Sequence, residues 1–193
     1  MKLGALSLLL GVMTAQAATK QTPTTQSEPF LLLISEFHAT DKPTAGPHSV
    51  GNCMIVYPGG RLHLELRRQE FFYGPASFVS YEGNLSTQEL TSLRSILDSD
   101  AVKSLHAVQP PSTPLHADDF GWFTAEIWRS TKTQTVGTYS LHSTGPKNPE
   151  DNERAWQEAG IVLQPLIDWS HRVKSVQPPE LARIPNVNSV CTQ

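Results

Sequence analysis

The feature of this sequence that most constrains its fold is a strict alternation of leucine and polar residues over 61–67. The three leucines share one face of an extended chain, and His63, Glu65 and Arg67 share the other. This period of two predicts a β-strand with one face in the core and the other in water. The preceding run, 53–57, is apolar on both faces and predicts a more central strand.

The segment between these two strands has the sequence Tyr57-Pro58-Gly59-Gly60. Proline favours the second position of a turn, and glycine accepts the positive φ that a type II turn requires at its third position. The segment therefore predicts a β-hairpin closed by a type II turn. A further short strand is predicted over 76–82.

A helix start follows this strand. Ser86 can accept a hydrogen bond from the first helical turn, and the side chain of Glu89 can reach back to the N–H of Ser86, which is the capping-box pattern. Leu85 and Leu90 occupy the two positions of a hydrophobic staple around this cap. The helix then carries an apolar stripe at helical spacing, formed by Leu90, Leu93, Ile96 and Leu97. Because this stripe must be buried, it predicts a helix packed on the leucine face of the hairpin.

Three further strands are predicted from apolar runs and alternation. They are 30–37, 121–129 and 135–142, the last two forming a hairpin joined by the polar connection 130–134. In the first strand of this hairpin, one face carries Phe123, Ala125 and Ile127. The other face carries Trp122, Thr124, Glu126 and Trp128.

Two more helices are predicted, a short one over 99–105 and a long one near the end of the chain. Asn148-Pro149 has the residues preferred at a helix N-cap and first position, so it predicts the start of the long helix. Pro165 falls inside its apolar pattern, and a proline there costs about 3 kcal/mol in an uninterrupted helix. We therefore expect a kink or a break at Pro165.

Together these elements predict the α+β class. We expect one antiparallel sheet of about five or six strands, with two or three helices packed mainly on one face. The domain is predicted to span 30–176, after a flexible lead-in over 18–29 and before a C-terminal tail over 177–193.

The first residues are typical of an export signal. Lys2 precedes an apolar run over 3–12, and Ala15-Gln16-Ala17 matches an A-x-A cleavage site, so a signal peptide is predicted over 1–17. The run is too short to span a bilayer, and the alternative is a buried N-terminal helix. We expect an exported protein, periplasmic or secreted, with no membrane span after cleavage.

The charge of the chain argues against nucleic acid as a partner. It carries 15 basic and 18 acidic residues, a net charge of −3, and has no basic cluster. The expected partner is an unknown protein or an envelope ligand.

Cys53 and Cys191 are the only cysteines in the sequence. Two cysteines in an exported domain usually pair, so we predict a disulfide bridge that ties the tail to a central strand. The chain-entropy relation gives a loop of this length about 4–5 kcal/mol of stabilisation as an upper figure. The alternative is two separate thiols.

The sequence supplies no catalytic, cofactor-binding or metal-binding signature. None of the seven histidines has the spacing of a helical or strand zinc site, and no G-x-S-x-G sequence is present. The nearest polar cluster, His116 with Asp118 and Asp119, lies in a proline-rich loop and is better explained as solvated residues. No catalytic, cofactor or metal residue is therefore assigned.

The candidate binding surface is formed by Trp122, Glu126 and Trp128. A strand face that combines aromatic area with a polar group is typical of binding surfaces. The alternative is that the tail or another helix covers these tryptophans.

The order of these elements resembles that of small exported bacterial proteins of unknown function. The resemblance rests on the first hairpin, Gly83-Asn84-Leu85-Ser86 with its leucine helix, the second hairpin and the terminal segment 163–169. It implies an α+β fold and export, and it implies no catalytic residue. The predicted function is a non-enzymatic binding or structural domain of the cell envelope; the alternative is a periplasmic or secreted enzyme, hydrolase-like, with a site of dispersed residues.

Overall fold

The computed structural model describes residues 29–40, 47–71, 75–111, 119–142, 152–175 and 182–184. The predicted signal peptide over 1–17, nearly all of the lead-in and most of the tail lie outside these residues.

The described chain forms one antiparallel sheet with three helices, which confirms the predicted α+β class. The strand order is β6-β5-β1-β2-β3-β4-β7, and every neighbouring pair is antiparallel. The strands are β1 (Leu32–Thr40), β2 (Ser49–Val56), β3 (Arg61–Gln69), β4 (Ser77–Asn84), β5 (Asp119–Arg129), β6 (Lys132–His142) and the three-residue β7 (Ala182–Ile184). The helices are α1 (Thr87–Leu97), α2 (Asp100–Lys103) and α3 (Glu153–Ser175).

The core lies between one face of the sheet and the helices, as the leucine pattern predicts. The strands contribute alternate buried residues: Leu32, Ile34, Met54, Val56, Leu62, Leu64, Phe123, Ala125, Ile127 and Val136. The helices contribute Leu93, Leu97, Val102, Leu163, Leu166, Trp169 and Val173. Burying each large side chain of this kind is worth about 1.5–3 kcal/mol, so this one-sided contact is a large source of apolar stabilisation among the described residues.

The turn between β2 and β3 differs from the predicted type II turn. Its positive φ, 92°, lies at Gly60 and not at Gly59. The N–H of Gly60 donates to the carbonyl of Tyr57, and the N–H of Tyr57 donates to the carbonyl of Arg61. This is the pattern of a three-residue hairpin loop, a type I turn followed by a left-handed glycine, whose twist suits the flanking strands better than type II.

The second hairpin is tighter than predicted. β5 and β6 pair as far as Arg129 and Lys132, so the connection is only Ser130-Thr131 and not the whole of 130–134. Ser130 has a φ of 61°, which lets the chain reverse over two residues without a glycine. The polar residues predicted as loop therefore extend the strand.

Of the two hydrogen bonds in the predicted capping box of α1, one is present. The Ser86 hydroxyl accepts from the N–H of Glu89 at 3.2 Å. The Glu89 carboxylate does not complete the capping box but turns to α3, where Oε2 accepts from the indole Nε1 of Trp169 at 3.0 Å and from Arg172 at 3.1 Å. Trp169 is 1% exposed, and a buried indole N–H needs an acceptor, which explains why tertiary contact overrides the local cap.

The long helix α3 continues as one helix through Pro165, so the predicted break is wrong, and the alternative of a kink stays a prediction. Pro165 lies on the exposed side of the helix, where water can hydrate the carbonyl group that loses its hydrogen-bond donor. Asn148 and Pro149, the predicted start, lie outside the described residues. The helix itself begins at Glu153, with Asn152 Oδ1 accepting from the N–H of Ala155 at 3.0 Å.

None of the three helices in the described ranges is long and apolar enough to cross a membrane.

The Glu89–Trp169 contact yields a stability prediction. Glu89→Ala should lower the free energy of unfolding by about 1–3 kcal/mol, because the buried indole N–H loses its acceptor. Glu89→Gln should cost less, since an amide oxygen can still accept from Trp169 although the ion pair with Arg172 is lost. Urea unfolding measures both. The matched control is Gln88→Ala, an exposed position in the same turn, and an equal loss for Gln88→Ala and Glu89→Ala would contradict the assignment.

Candidate functional site

The face of the sheet opposite the three helices is called the open face here. Strand register brings side chains from β5, β1, β2, β3 and β4 into rows across it. One row contains Trp122, Phe37, Gly51, Arg67 and Phe78. The row beside it contains Thr124, Ser35, Cys53, Glu65 and Ser80.

The predicted binding residues Trp122, Glu126 and Trp128 all lie on β5 and share the open face. They do not form one patch, because six residues of strand place Trp122 and Trp128 about 20 Å apart. Trp128 is 40% exposed, and Trp122 is half-buried. Trp122 lines a concave site on this face.

That site, the open-face groove, has a volume of about 120 Å³. Its lining residues are Ser35, Glu36, Phe37, Gly51, Asn52, Cys53, Glu65, Arg67, Phe78 and Trp122. Gly51 creates the groove: a Cβ added there would lie 3.4 Å from the Phe37 ring and 3.9 Å from the Arg67 Cβ. Its missing side chain leaves space between Phe37 on β1 and Arg67 on β3. A glycine inside a strand is the sequence signal that could have located this groove.

The two sides of the groove differ in chemistry. On one side, the rings of Phe37 and Trp122 stack with centroids 4.2 Å apart. On the other side, the guanidinium of Arg67 lies 5.7 Å from the centre of the Phe78 ring, and both residues are exposed. The groove therefore offers flat aromatic surface beside a cation, a combination suited to a ligand with an apolar face and a polar or anionic edge.

A buried polar network borders the groove. His63 is 3% exposed and Glu65 is 5% exposed, so the prediction that this face of β3 lies in water is wrong for both residues. His63 Nε2 lies 3.0 Å from Glu65 Oε1, and His63 Nδ1 is within hydrogen-bonding distance of Glu82 Oε1. Glu65 is the member of this network that lines the groove.

Both ring nitrogens of His63 lie within hydrogen-bonding distance of a carboxylate oxygen, Nδ1 beside Glu82 and Nε2 beside Glu65. Since both ring nitrogens are engaged, His63 has no free nitrogen with which to accept a proton from a ligand in the groove.

A second polar cluster lies on the helix-covered face and fixes the end of α3. Glu36 accepts from Asn52 at 2.7 Å, from His171 at 2.8 Å and from the ammonium group of Lys174. Burial raises the pKa of Glu36, but the hydrogen bonds from Lys174 and Asn52 outweigh it, so that the pKa is lowered from the ordinary 4.5. This carboxylate joins β1 and β2 to α3 behind the groove.

Among the residues that the structure describes, no three His, Cys, Asp or Glu side chains form a group that could hold a metal ion. His116 and Asp118 lie outside the described residues. Asp119 begins β5 and pairs with His38 at 2.7 Å, with both side chains about half exposed.

Cys53 lies on the open face in β2 and is 6% exposed. Cys191 lies outside the described residues, so the Cys53–Cys191 bridge stays a prediction.

A comparison of the chain with models of known protein families finds no match, and a comparison with curated protein sequences finds none either. The chemistry of the groove is therefore the basis for a functional assignment.

The buried network predicts a large effect of His63→Ala. The substitution removes a hydrogen-bond partner of the buried Glu65 carboxylate and should lower the free energy of unfolding by about 3–5 kcal/mol. His38→Ala is the control, because it breaks an exposed pair and should cost less than about 1 kcal/mol. Urea unfolding of both variants checks this; a small and similar loss in the two would show that the network contributes little.

The Glu36 cluster predicts acid sensitivity. Because the folded-state pKa of Glu36 lies below 4.5, its ionised form contributes stability above that pH, and the contribution is lost as the pH falls through the folded value. Glu36→Gln should therefore lower stability at pH 7 and flatten the decline of the unfolding free energy below pH 4.5. Glu158→Gln, at an exposed carboxylate on α3, is the control and should lower stability at pH 7 less than Glu36→Gln does.

Proposed function

We propose that this chain is an exported, non-enzymatic binding domain of the cell envelope that takes up its ligand in the open-face groove. The observation that carries this proposal is the groove itself, in which the Phe37–Trp122 stack faces Arg67 and Phe78 across Gly51. Binding sites are commonly concave, mostly apolar and equipped with a few placed polar groups.

The composition of the groove favours a small ligand group. A volume of about 120 Å³ admits one ring or one side chain and not a whole large molecule. Trp122 and Phe37 supply a stacking surface, Arg67 supplies positive charge, and Glu65 supplies a hydrogen-bond acceptor. A sugar ring with an acidic substituent, as in peptidoglycan fragments, has this combination of an apolar face and an anionic edge.

Export is supported by the A-x-A sequence at 15–17 and by the apolar run before it. The resemblance to small exported bacterial proteins agrees with this proposal. The Cys53–Cys191 bridge belongs to the same proposal, because an oxidising compartment stabilises such bridges.

The second candidate function is a hydrolase-like periplasmic or secreted enzyme. The observation that favours it is a buried carboxylate, Glu65, which lines the groove and is hydrogen-bonded to His63. Against it, both nitrogens of His63 are engaged by carboxylates, and a catalytic base needs a free acceptor near the reacting group.

The groove is tested first by thermal shift of the mature, oxidised protein with muropeptides, neutral sugars and divalent metal ions. A muropeptide that binds the folded state should raise its stability, by about 2.7 kcal/mol at a hundredfold excess over the dissociation constant. Trp122→Ala should abolish this shift, because the stacking surface is lost. Trp128→Ala, on the same strand but outside the groove, is the matched control and should preserve the shift.

Two outcomes would contradict the proposal. An equal shift in wild type and Trp122→Ala would place the ligand elsewhere. Turnover of ester or glycoside substrates that disappears in Glu65→Gln would identify an enzyme instead.

The bridge is tested by intact-mass analysis after alkylation under denaturing, non-reducing conditions. The oxidised protein should take up no alkyl group, and the reduced protein should take up two. Two alkylated cysteines without reduction would refute the bridge.

A further inference from the structure

The open face has an accessible strip of side chains along β5. On β2, β3 and β4, the middle of this face is buried, with five residues at most 6% exposed: Cys53, Ile55, His63, Glu65 and Ser80. On β5, by contrast, the four open-face residues from Trp122 to Trp128 are half-buried or exposed. The β5 strip, as we call these four residues, is about 20 Å long, because each residue of a strand rises about 3.4 Å.

The β5 strip has a tryptophan at each end. Trp122 stacks on Phe37 in the groove. Trp128 is 40% exposed and is not a lining residue of the groove, so a ligand of one ring does not reach it. The N–H of Trp128 donates to the carbonyl of Leu31 at 3.0 Å, and Trp128 pairs with Thr133 on its other side. The sheet therefore holds a second aromatic surface at a fixed distance from the groove.

The middle of the β5 strip is polar. Thr124 and Glu126 lie between the two tryptophans, and the exposed Thr133 and Thr135 of β6 lie beside Trp128 and Glu126. Threonine hydroxyl groups donate and accept hydrogen bonds, and the carboxylate of Glu126 accepts them. The strip therefore offers an aromatic surface, a polar interval and a second aromatic surface in line.

A chain of sugar rings has the matching chemistry. The C–H groups of a sugar ring form an apolar face that packs on an aromatic ring, and its hydroxyl groups bind carboxylates and threonines. An extended peptide matches the strip less well, because it binds a sheet chiefly through main-chain hydrogen bonds at an edge. The main chain of β5 is paired on both sides, with β1 and with β6.

We propose that the β5 strip binds a linear glycan strand in which acidic and neutral rings alternate. This inference rests on the proposed function and deepens it, because it makes the ligand a polymer and assigns a second contact at Trp128. One acidic ring lies in the groove, where Arg67 binds its acidic substituent. A neutral ring lies over Glu126, whose charge repels an acidic substituent, and a later ring packs on Trp128.

The second contact makes affinity depend on the length of the glycan. Once the first ring is bound in the groove, contact of a later ring with Trp128 is intramolecular. A strand that reaches both tryptophans therefore binds more tightly than a fragment that reaches only the groove. A gain of about tenfold or more is expected, which is below the upper range observed for linked contacts.

The test is calorimetric titration of the mature, oxidised protein with a disaccharide muropeptide and with an octasaccharide strand of the same repeat. Wild type should bind the octasaccharide about tenfold or more tightly than the disaccharide. In Trp128→Ala, disaccharide affinity should stay within about twofold of wild type, and octasaccharide affinity should fall to within about fivefold of the disaccharide, the statistical gain of a repeated ring. Ile161→Ala, at an exposed apolar residue on α3, is the matched control and should change neither affinity.

Trp128→Phe keeps an aromatic ring and should restore part of the preference for the octasaccharide, which a loss of folding alone would not predict. Urea unfolding of each variant verifies that the helix-covered core is intact. Equal octasaccharide affinity in wild type and Trp128→Ala, with disaccharide binding present, would overturn the glycan-strand proposal and leave the groove assignment in place. Absence of binding of both oligomers to wild type would overturn the groove assignment and this proposal together.

Discussion

The structure depends on one constraint: a single sheet has two faces, and the three described helices cover only one of them. The apolar stripes of α1 and α3 meet the alternate apolar residues of the central strands, and this contact forms the core. Glu89 joins the two helices through Trp169, and Glu36 joins the end of α3 to β1 and β2. The other face carries the groove.

On the open face, some polar side chains are buried, whereas the polar side chains of an exposed sheet face would be hydrated. His63 lies between Glu65 and Glu82, and the network is buried next to a groove that remains accessible. Buried charged groups are tolerated only when they are paired and hydrogen-bonded, so this network imposes a defined geometry on β3 and β4.

Several elements could be predicted because their signals are local. The Ser86 cap, the leucine alternation of β3 and the faces of β5 follow from side chains within a few residues of each other. The errors occurred where a distant partner competed with the local preference. Glu89 accepts a hydrogen bond from Trp169 and does not complete the cap of its own helix. Helix α3 continues through Pro165 because that residue faces water. His63 and Glu65 are buried, which the alternation of residues in β3 does not predict.

In the candidate site, too, some features follow from local sequence and others from distant contacts. The sequence by itself determined the α+β class, the side of β5 on which Trp122, Glu126 and Trp128 lie, and the helix-facing leucines, because periodicity encodes which residues share a face. Only the tertiary structure decided that Trp122 stacks on Phe37 and that Gly51 opens a groove between β1 and β3. The physical reason is that contacts between residues on different strands depend on strand order and register. Long-range packing sets both, and the spacing of residues along the chain does not predict them.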